Sequence, residues 1–163
     1  NDNFDTIVLR LSNGFGVPSH AAVNAWMLLM NDLCWQAVTS GSLTLRSTGL
    51  QLCNFITLHD VGRVVGHMLD LPKSSIGDGL FNIGSGESSR VIDMVKLIQT
   101  RCNELFGFSP KIIRPNVTKT DRSSGFDYKI DKLLSTGFAL NGNPTFEIDE
   151  TLRMCDKIFV VSS

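Results

Sequence analysis

The chain has 163 residues, 42% of them hydrophobic, enough for one domain with a core, and its net charge is only -1. That balance gives no basis for binding nucleic acid or an anionic membrane surface. The four cysteines, Cys34, Cys53, Cys102 and Cys155, are widely spaced and form no C-x-x-C, which suggests neither a zinc site nor a disulfide framework and predicts buried free thiols in a reducing, cytoplasmic compartment.

No signal peptide is expected before the first element. Thr6-Ile7-Val8-Leu9-Arg10-Leu11 is a continuous apolar run rich in β-branched residues, the pattern of a parallel strand buried on both faces. Arg10 within it then needs a buried partner. Ser12 to Pro18 reads as a loop, and a helix is expected from about Ser19 to Thr39, closed by Gly41. That helix is apolar almost all round, which predicts burial, with Trp26 and Trp35 as core residues. Its apolar run from Ala21 to Met30 is interrupted by Asn24 and is too short to span a bilayer. Short strands are expected at Leu43 to Arg46 and Leu52 to Leu58, followed by a helix capped by Asp60 and stopped by Pro72. A strand at Leu80 to Ile83, a helix from about Ser89 to Phe106 ended by Gly107, and a strand at Lys111 to Arg114 come next. Asn116 to Gly125 reads as polar and mobile, and its Asn116-Val117-Thr118 sequon as fortuitous. Two helices, Lys129 to Ser135 and Phe146 to Val160, complete a single α/β domain over residues 1–163.

Four landmarks in this order resemble one family. Arg10-Leu11-Ser12-Asn13-Gly14-Phe15-Gly16 is similar to the "R-x-x-N-x-x-G" strand end of the extended short-chain dehydrogenases, the NAD-dependent sugar-nucleotide epimerases and dehydratases. Asn54-Phe55-Ile56-Thr57-Leu58-His59-Asp60-Val61 resembles their "R-D-F-I-x-V-x-D-V" segment, and Phe81-Asn82-Ile83-Gly84-Ser85-Gly86-Glu87 their "Y-N-I-G-S-G-E". Asp131-Lys132-Leu133 through Gly137-Phe138 resembles "D-x-S-K-x-x-x-x-L-G-F/W", with Ile130 in place of the serine or the serine absent. The resemblance implies the last strands of a Rossmann-like parallel sheet joined to the small C-terminal substrate-binding region. The dinucleotide-binding half would then lie before it.

The stretch Gly84-Ser85-Gly86-Glu87-Ser88-Ser89 looks like a phosphate-cradling loop, but a serine stands where the third glycine belongs and Glu87 would repel phosphate. It reads better as a tight strand-to-helix turn. In complete family members the chemistry uses a Tyr-x-x-x-Lys pair with NAD or NADP. Tyr128 and Lys132 match that spacing, yet they fall after the strand that the family's pair precedes, so the match is read as accidental. No cofactor is expected on this chain alone, and no catalytic residue is assigned.

The resemblance implies substrate contacts at Asn13, a ligand to the sugar or diphosphate, and at Asn54; the plainer reading of Asn13 is a residue capping its own turn. Asn54 and Cys53 stand where the family has aspartate and a diphosphate-gripping arginine. Arg122 or Arg46 would compensate if they are not simply surface charges. His20, His59 and Asp60 read as turn and cap residues. The implied function is binding of a sugar nucleotide by the C-terminal part of an epimerase or dehydratase that is inactive alone. The alternative is a non-catalytic binding or assembly module of the same fold. Self-association, or a separate N-terminal half, is expected to cover the first strand.

Overall fold

The computed structural model describes residues 6–117 and 126–160. Its first elements are β1 (Val8–Leu11), β2 (Asn13–Phe15), α1 (Leu29–Ser40), β3 (Ser42–Thr44), β4 (Leu52–Thr57) and α2 (Leu58–Leu69). There follow α3 (Lys73–Ile76), β5 (Leu80–Ile83), β6 (Ser88–Arg90), α4 (Val91–Phe106), β7 (Lys111–Ile113), α5 (Asp131–Leu134) and α6 (Pro144–Phe159). Strands β1 and β5, β2 and β4, and β3 and β7 pair in parallel, whereas β4 and β6 are antiparallel. The expected α/β class is what the chain adopts.

Two apolar clusters organise these elements. In the first, α1, α4 and α6 bury Leu33, Ala37, Val95, Ile98, Ile148 and Leu152 together with Cys34, Cys102 and Cys155. Burial pushes the Cys102 and Cys155 thiols up to about 12. The Cys34 thiol is raised well above its ordinary value by burial first, then by Cys155 and Cys102. Arg101 of α4 grips Asp149 of α6 with two hydrogen bonds of 2.7 Å, a fork that fixes their alignment. The second cluster holds Ile56, Val64, Met68, Phe81 and Ile83 against Ile130, Leu133 and Phe138.

Local chemistry explains most element ends. Gly41 and Gly107 close α1 and α4 in the left-handed conformation, with φ of 63° and 76°. Thr57, not Asp60, caps α2: its Oγ1 accepts from the Asp60 N–H at 3.2 Å. Asn143 caps α6 by accepting from the Phe146 N–H, and Pro144 occupies the first turn where its missing donor is harmless.

Other expectations need correction. The long first helix begins only at Leu29, because turns from His20 to Val23 and from Ala25 to Leu28 take up the preceding backbone. It is not buried all round: only the face carrying Met30, Leu33, Cys34 and Ala37 meets α4 and α6, and Met27 is 83% exposed. Trp26 and Trp35 pack edge-on against the Phe159 ring at 5.3 and 6.3 Å, and Trp35 stays partly exposed. The loop after Leu11 contains β2, and the helix expected from Ser89 is preceded by β6, since Ser88 to Arg90 pair with Leu52 to Asn54. The short helix α3 was not foreseen.

Strand β1 is the largest departure. It was expected to be buried on both faces, yet Val8 is 50% and Leu11 47% exposed. Val8 N–H donates to Gly79 at 2.7 Å and Ser12 N–H to Ile83 at 2.8 Å. The alternation of a parallel ladder therefore turns the backbone groups of Leu9 and Leu11 away from β5. Among the described residues no strand takes that edge. Arg10 is likewise exposed, and its Nε donates to Asn82 Oδ1 at 2.8 Å rather than to a buried acid.

Candidate functional site

Two parallel strands bring the first sequence-derived residues together. In the β2–β4 pairing Asn13 lies opposite Phe55, and the exposed Asn13 donates through Nδ2 to the Asn54 carbonyl at 3.0 Å. The Asn54 side chain points elsewhere and is buried. Its Nδ2 donates to the carbonyls of Ser85 at 2.9 Å and Glu87 at 3.2 Å, and its Oδ1 accepts from the Ser85 N–H at 2.8 Å. One amide thus fastens the Gly84–Glu87 turn to β4. Arg122 lies outside the described residues.

This network shows what the glycine-rich turn does. A phosphate cradle needs free backbone N–H groups at the mouth of a helix. Here the Ser85 N–H is already taken, and β6 separates the turn from α4. A side chain at Gly84 would strike Asn54 and Tyr128, so those residues fill the close approach that a ligand would need. The turn does not fit a dinucleotide diphosphate.

Tyr128 and Lys132 are committed separately. The Tyr128 hydroxyl donates to the Arg10 carbonyl at 2.6 Å. Lys132 pairs with Asp78, donates to the Leu80 carbonyl at 3.0 Å, and sits 4.1 Å from the centre of the Phe81 ring. The hydrogen bond from Lys132 holds the Asp78 carboxyl below its ordinary range.

Asp60 anchors rather than caps. Its buried carboxylate accepts from Arg63 Nη1 at 2.8 Å and from the N–H groups of Asn141 and Gly142 at 3.0 and 2.7 Å. That fixes the segment leading into α6. His20 acts as a turn residue, its Nδ1 accepting from the Ala22 N–H. The His59 N–H donates to the Glu147 carboxylate at the start of α2.

Two cavities lie near β4, one lined by Gln51 just before it and the other by Phe55 within it. The larger, about 720 Å³, lies between α1 and β3 and is lined by Trp26, Trp35, Asp32, Arg46 and Gln51, among others. The smaller, about 290 Å³, is lined by Phe15, Phe55, Ser85, Glu87, Ser89 and Met94 beside Pro144. Cys53 falls between Gln51 of the one and Phe55 of the other; it is half-buried, and burial raises its thiol pKa. Sequence reasoning missed Gln51, Ser85 and Glu87 as wall residues. No local pattern marks them: Gln51 lies just before β4, and Ser85 and Glu87 lie in the turn after β5, so only their tertiary placement makes them wall residues. The described residues contain no cluster suited to a metal ion, and none of their helices is long and apolar enough to cross a membrane.

No protein-family model matches the chain, and no curated protein matches it. Solved structures do. A UDP-glucuronic acid 4-epimerase from Bacillus cereus in complex with NAD matches at 16% identity with a TM-score of 0.70, over 94% of this chain and 43% of its own. A UDP-N-acetylglucosamine 4-epimerase from Bacillus cereus matches at 22% identity and 0.65, over 90% and 44%. A dTDP-glucose 4,6-dehydratase from Bacillus anthracis, in complex with NAD, matches at 19% identity and 0.67, over 94% and 45%. The chain therefore has the Rossmann-like extended short-chain dehydrogenase fold in part, and spans less than half the length of the epimerases and dehydratases it is similar to.

Proposed function

We propose that this chain is the substrate-binding C-terminal part of an NAD-dependent sugar-nucleotide epimerase or dehydratase, acting in the cytoplasm, and that it does not turn over substrate alone. The observation that carries this reading is the pair of cavities lined by Gln51 and Arg46 on the one hand and by Phe55, Ser85 and Glu87 on the other. Indole rings, Gln51 and Arg46 in the larger suit a nucleoside diphosphate; Ser85, Ser89 and Glu87 in the smaller offer polar groups to a sugar. Asn13, exposed at the strand end, is the proposed ligand to the bound sugar nucleotide. Asn54 acts by holding Asn13 and the Gly84–Glu87 turn in register, and Arg122 is the proposed further cation. In a complete enzyme NAD would accept and return the hydride; this chain's residues bind the substrate, orient it and wall it from water. With the Tyr128 hydroxyl on Arg10 and Lys132 on Asp78, neither is disposed to act as an acid/base pair.

The open edge of β1 favours a second reading, a binding or assembly module of the same fold. Both readings share the partner: a dinucleotide-binding half, or a second copy, pairing along Leu9 and Leu11. The test is titration of the 163-residue chain with UDP- and TDP-sugars and with NAD, followed by calorimetry and amide NMR shifts. Sugar nucleotides are expected to shift Asn13 and the segment from Leu50 to Phe55, with no NAD binding. Micromolar NAD binding, shifts confined to Phe146 to Val160, or NAD-dependent turnover abolished by Tyr128→Phe would overturn the proposal.

A further inference from the structure

Resting on the reading of the larger cavity as a nucleoside diphosphate site, we propose that Arg46 is the residue that grips the ligand's phosphates and sets the preference for nucleotide over nucleoside. Among the described residues lining the two cavities, Arg46 is the only cation. Strand β4, Leu52 to Thr57, which gives Phe55 to the smaller cavity, has no charged residue either.

Arg46 is also free to act. Arg10, Arg63, Arg101, Arg114 and Arg153 are all bound to protein oxygens. Of the described arginines only Arg46 and Arg90 have no polar partner, and Arg90 lines neither cavity. The acid within the larger cavity, Asp32, is occupied: Gln36 Nε2 donates to it at 2.7 Å, and Gln36 Oε1 accepts from the Thr44 N–H at 2.8 Å. This chain of bonds ties Asp32 to the α1 wall while Arg46 stands just beyond β3. The guanidinium fork matches phosphate oxygens two at a time, whereas an unpaired exposed arginine has no comparable partner in the fold. Trp26 and Trp35 line the same space, so a base and a phosphate have distinct places to go.

The experiment titrates the 163-residue chain with UDP, TDP and GDP and with their parent nucleosides, using calorimetry and the fluorescence of its two tryptophans, both in the cavity. Arg46→Gln should weaken the tightest diphosphate roughly 10- to 100-fold, the usual worth of hydrogen bonds to a charged group, and leave its nucleoside unchanged. Arg46→Lys should retain part of the preference, and Arg90→Gln all of it. If the unaltered chain binds a diphosphate and Arg46→Gln binds it equally well, the assignment fails while the site reading stands. If the unaltered chain binds none of the three, the site reading falls and the assignment with it.

Discussion

The two apolar clusters differ in closure rather than in composition. On one side, α1, α4 and α6 meet over Leu33, Ile98, Ile148 and Leu152, all fully buried. On the other, α2 covers β1 and β5 incompletely. An apolar groove of about 450 Å³ runs between Ile7 and Leu9 of the first strand segment and Val65, Met68 and Leu69 of α2. Leu69 is 83% exposed. Side chains of the same kind are thus structural on one side and available on the other. What separates them is how elements converge. Three long helices close a core, whereas β1, with β5 on one side only and α2 set over it incompletely, keeps an edge and part of a face uncovered among the described residues.

Breaking the closed side should have the largest effect. Leu152→Ala removes a fully buried side chain and should cost about 2–5 kcal/mol, read as a lower urea midpoint at unchanged slope. A loss under about 1 kcal/mol would mean that the α1–α4–α6 side is not the rigid core described here.

A smaller effect per side chain comes from pH, on the same side. The native values of the Cys34, Cys102 and Cys155 thiols lie above their ordinary ones. Their contribution is therefore full below the unfolded thiol pKa and is lost as pH rises through the native values, about 12 for Cys102 and Cys155. Stability should be flat below about pH 8 and fall above it, by about 1–2 kcal/mol per thiol at pH 10. Urea titrations across pH 7 to 11 would show the slope, and Cys155→Ala should flatten it. A pH-independent midpoint would contradict burial of these groups.

The smallest change in stability is expected on the open side, where it sharpens the contrast most. Leu69→Lys and Leu11→Lys should each alter stability by less than about 0.5 kcal/mol, because neither side chain leaves a packed core. Both should reduce concentration-dependent association measured by light scattering. An unaltered chain that is monomeric at all concentrations would remove association with itself, and loss of stability in Leu69→Lys comparable to Leu152→Ala would erase the distinction between the two sides.

The site repeats this division between local and distant causes. The strand ending before Asn13 and the glycine-rich turn after Ile83 were legible as sequence patterns. That Asn54 joins them was not. Its bonds to Ser85 and Glu87 cross 31 and 33 residues, and an asparagine in a strand carries no mark of whether its amide faces a ligand or a neighbouring turn. Arg46 was visible only as a charge; its lack of a partner, shared among the described arginines with Arg90 alone, emerges once the rest have found theirs.

By itself the sequence determined the α/β order, the stops at Gly41 and Gly107 and the apolar face of α4, since these depend on backbone preferences and on periodicity within a few residues. Only the tertiary structure decided where α1 starts, that Thr57 rather than Asp60 caps α2, that Ser88 to Arg90 form a strand, and that among the described residues β1 has a strand on one edge only. Each of these turns on which distant segment supplies a hydrogen-bond partner or a covering side chain, as when Arg10 finds Asn82 across 72 residues. Apolar patterning sets how much surface a segment can bury, and the number of elements that reach it sets how much is buried.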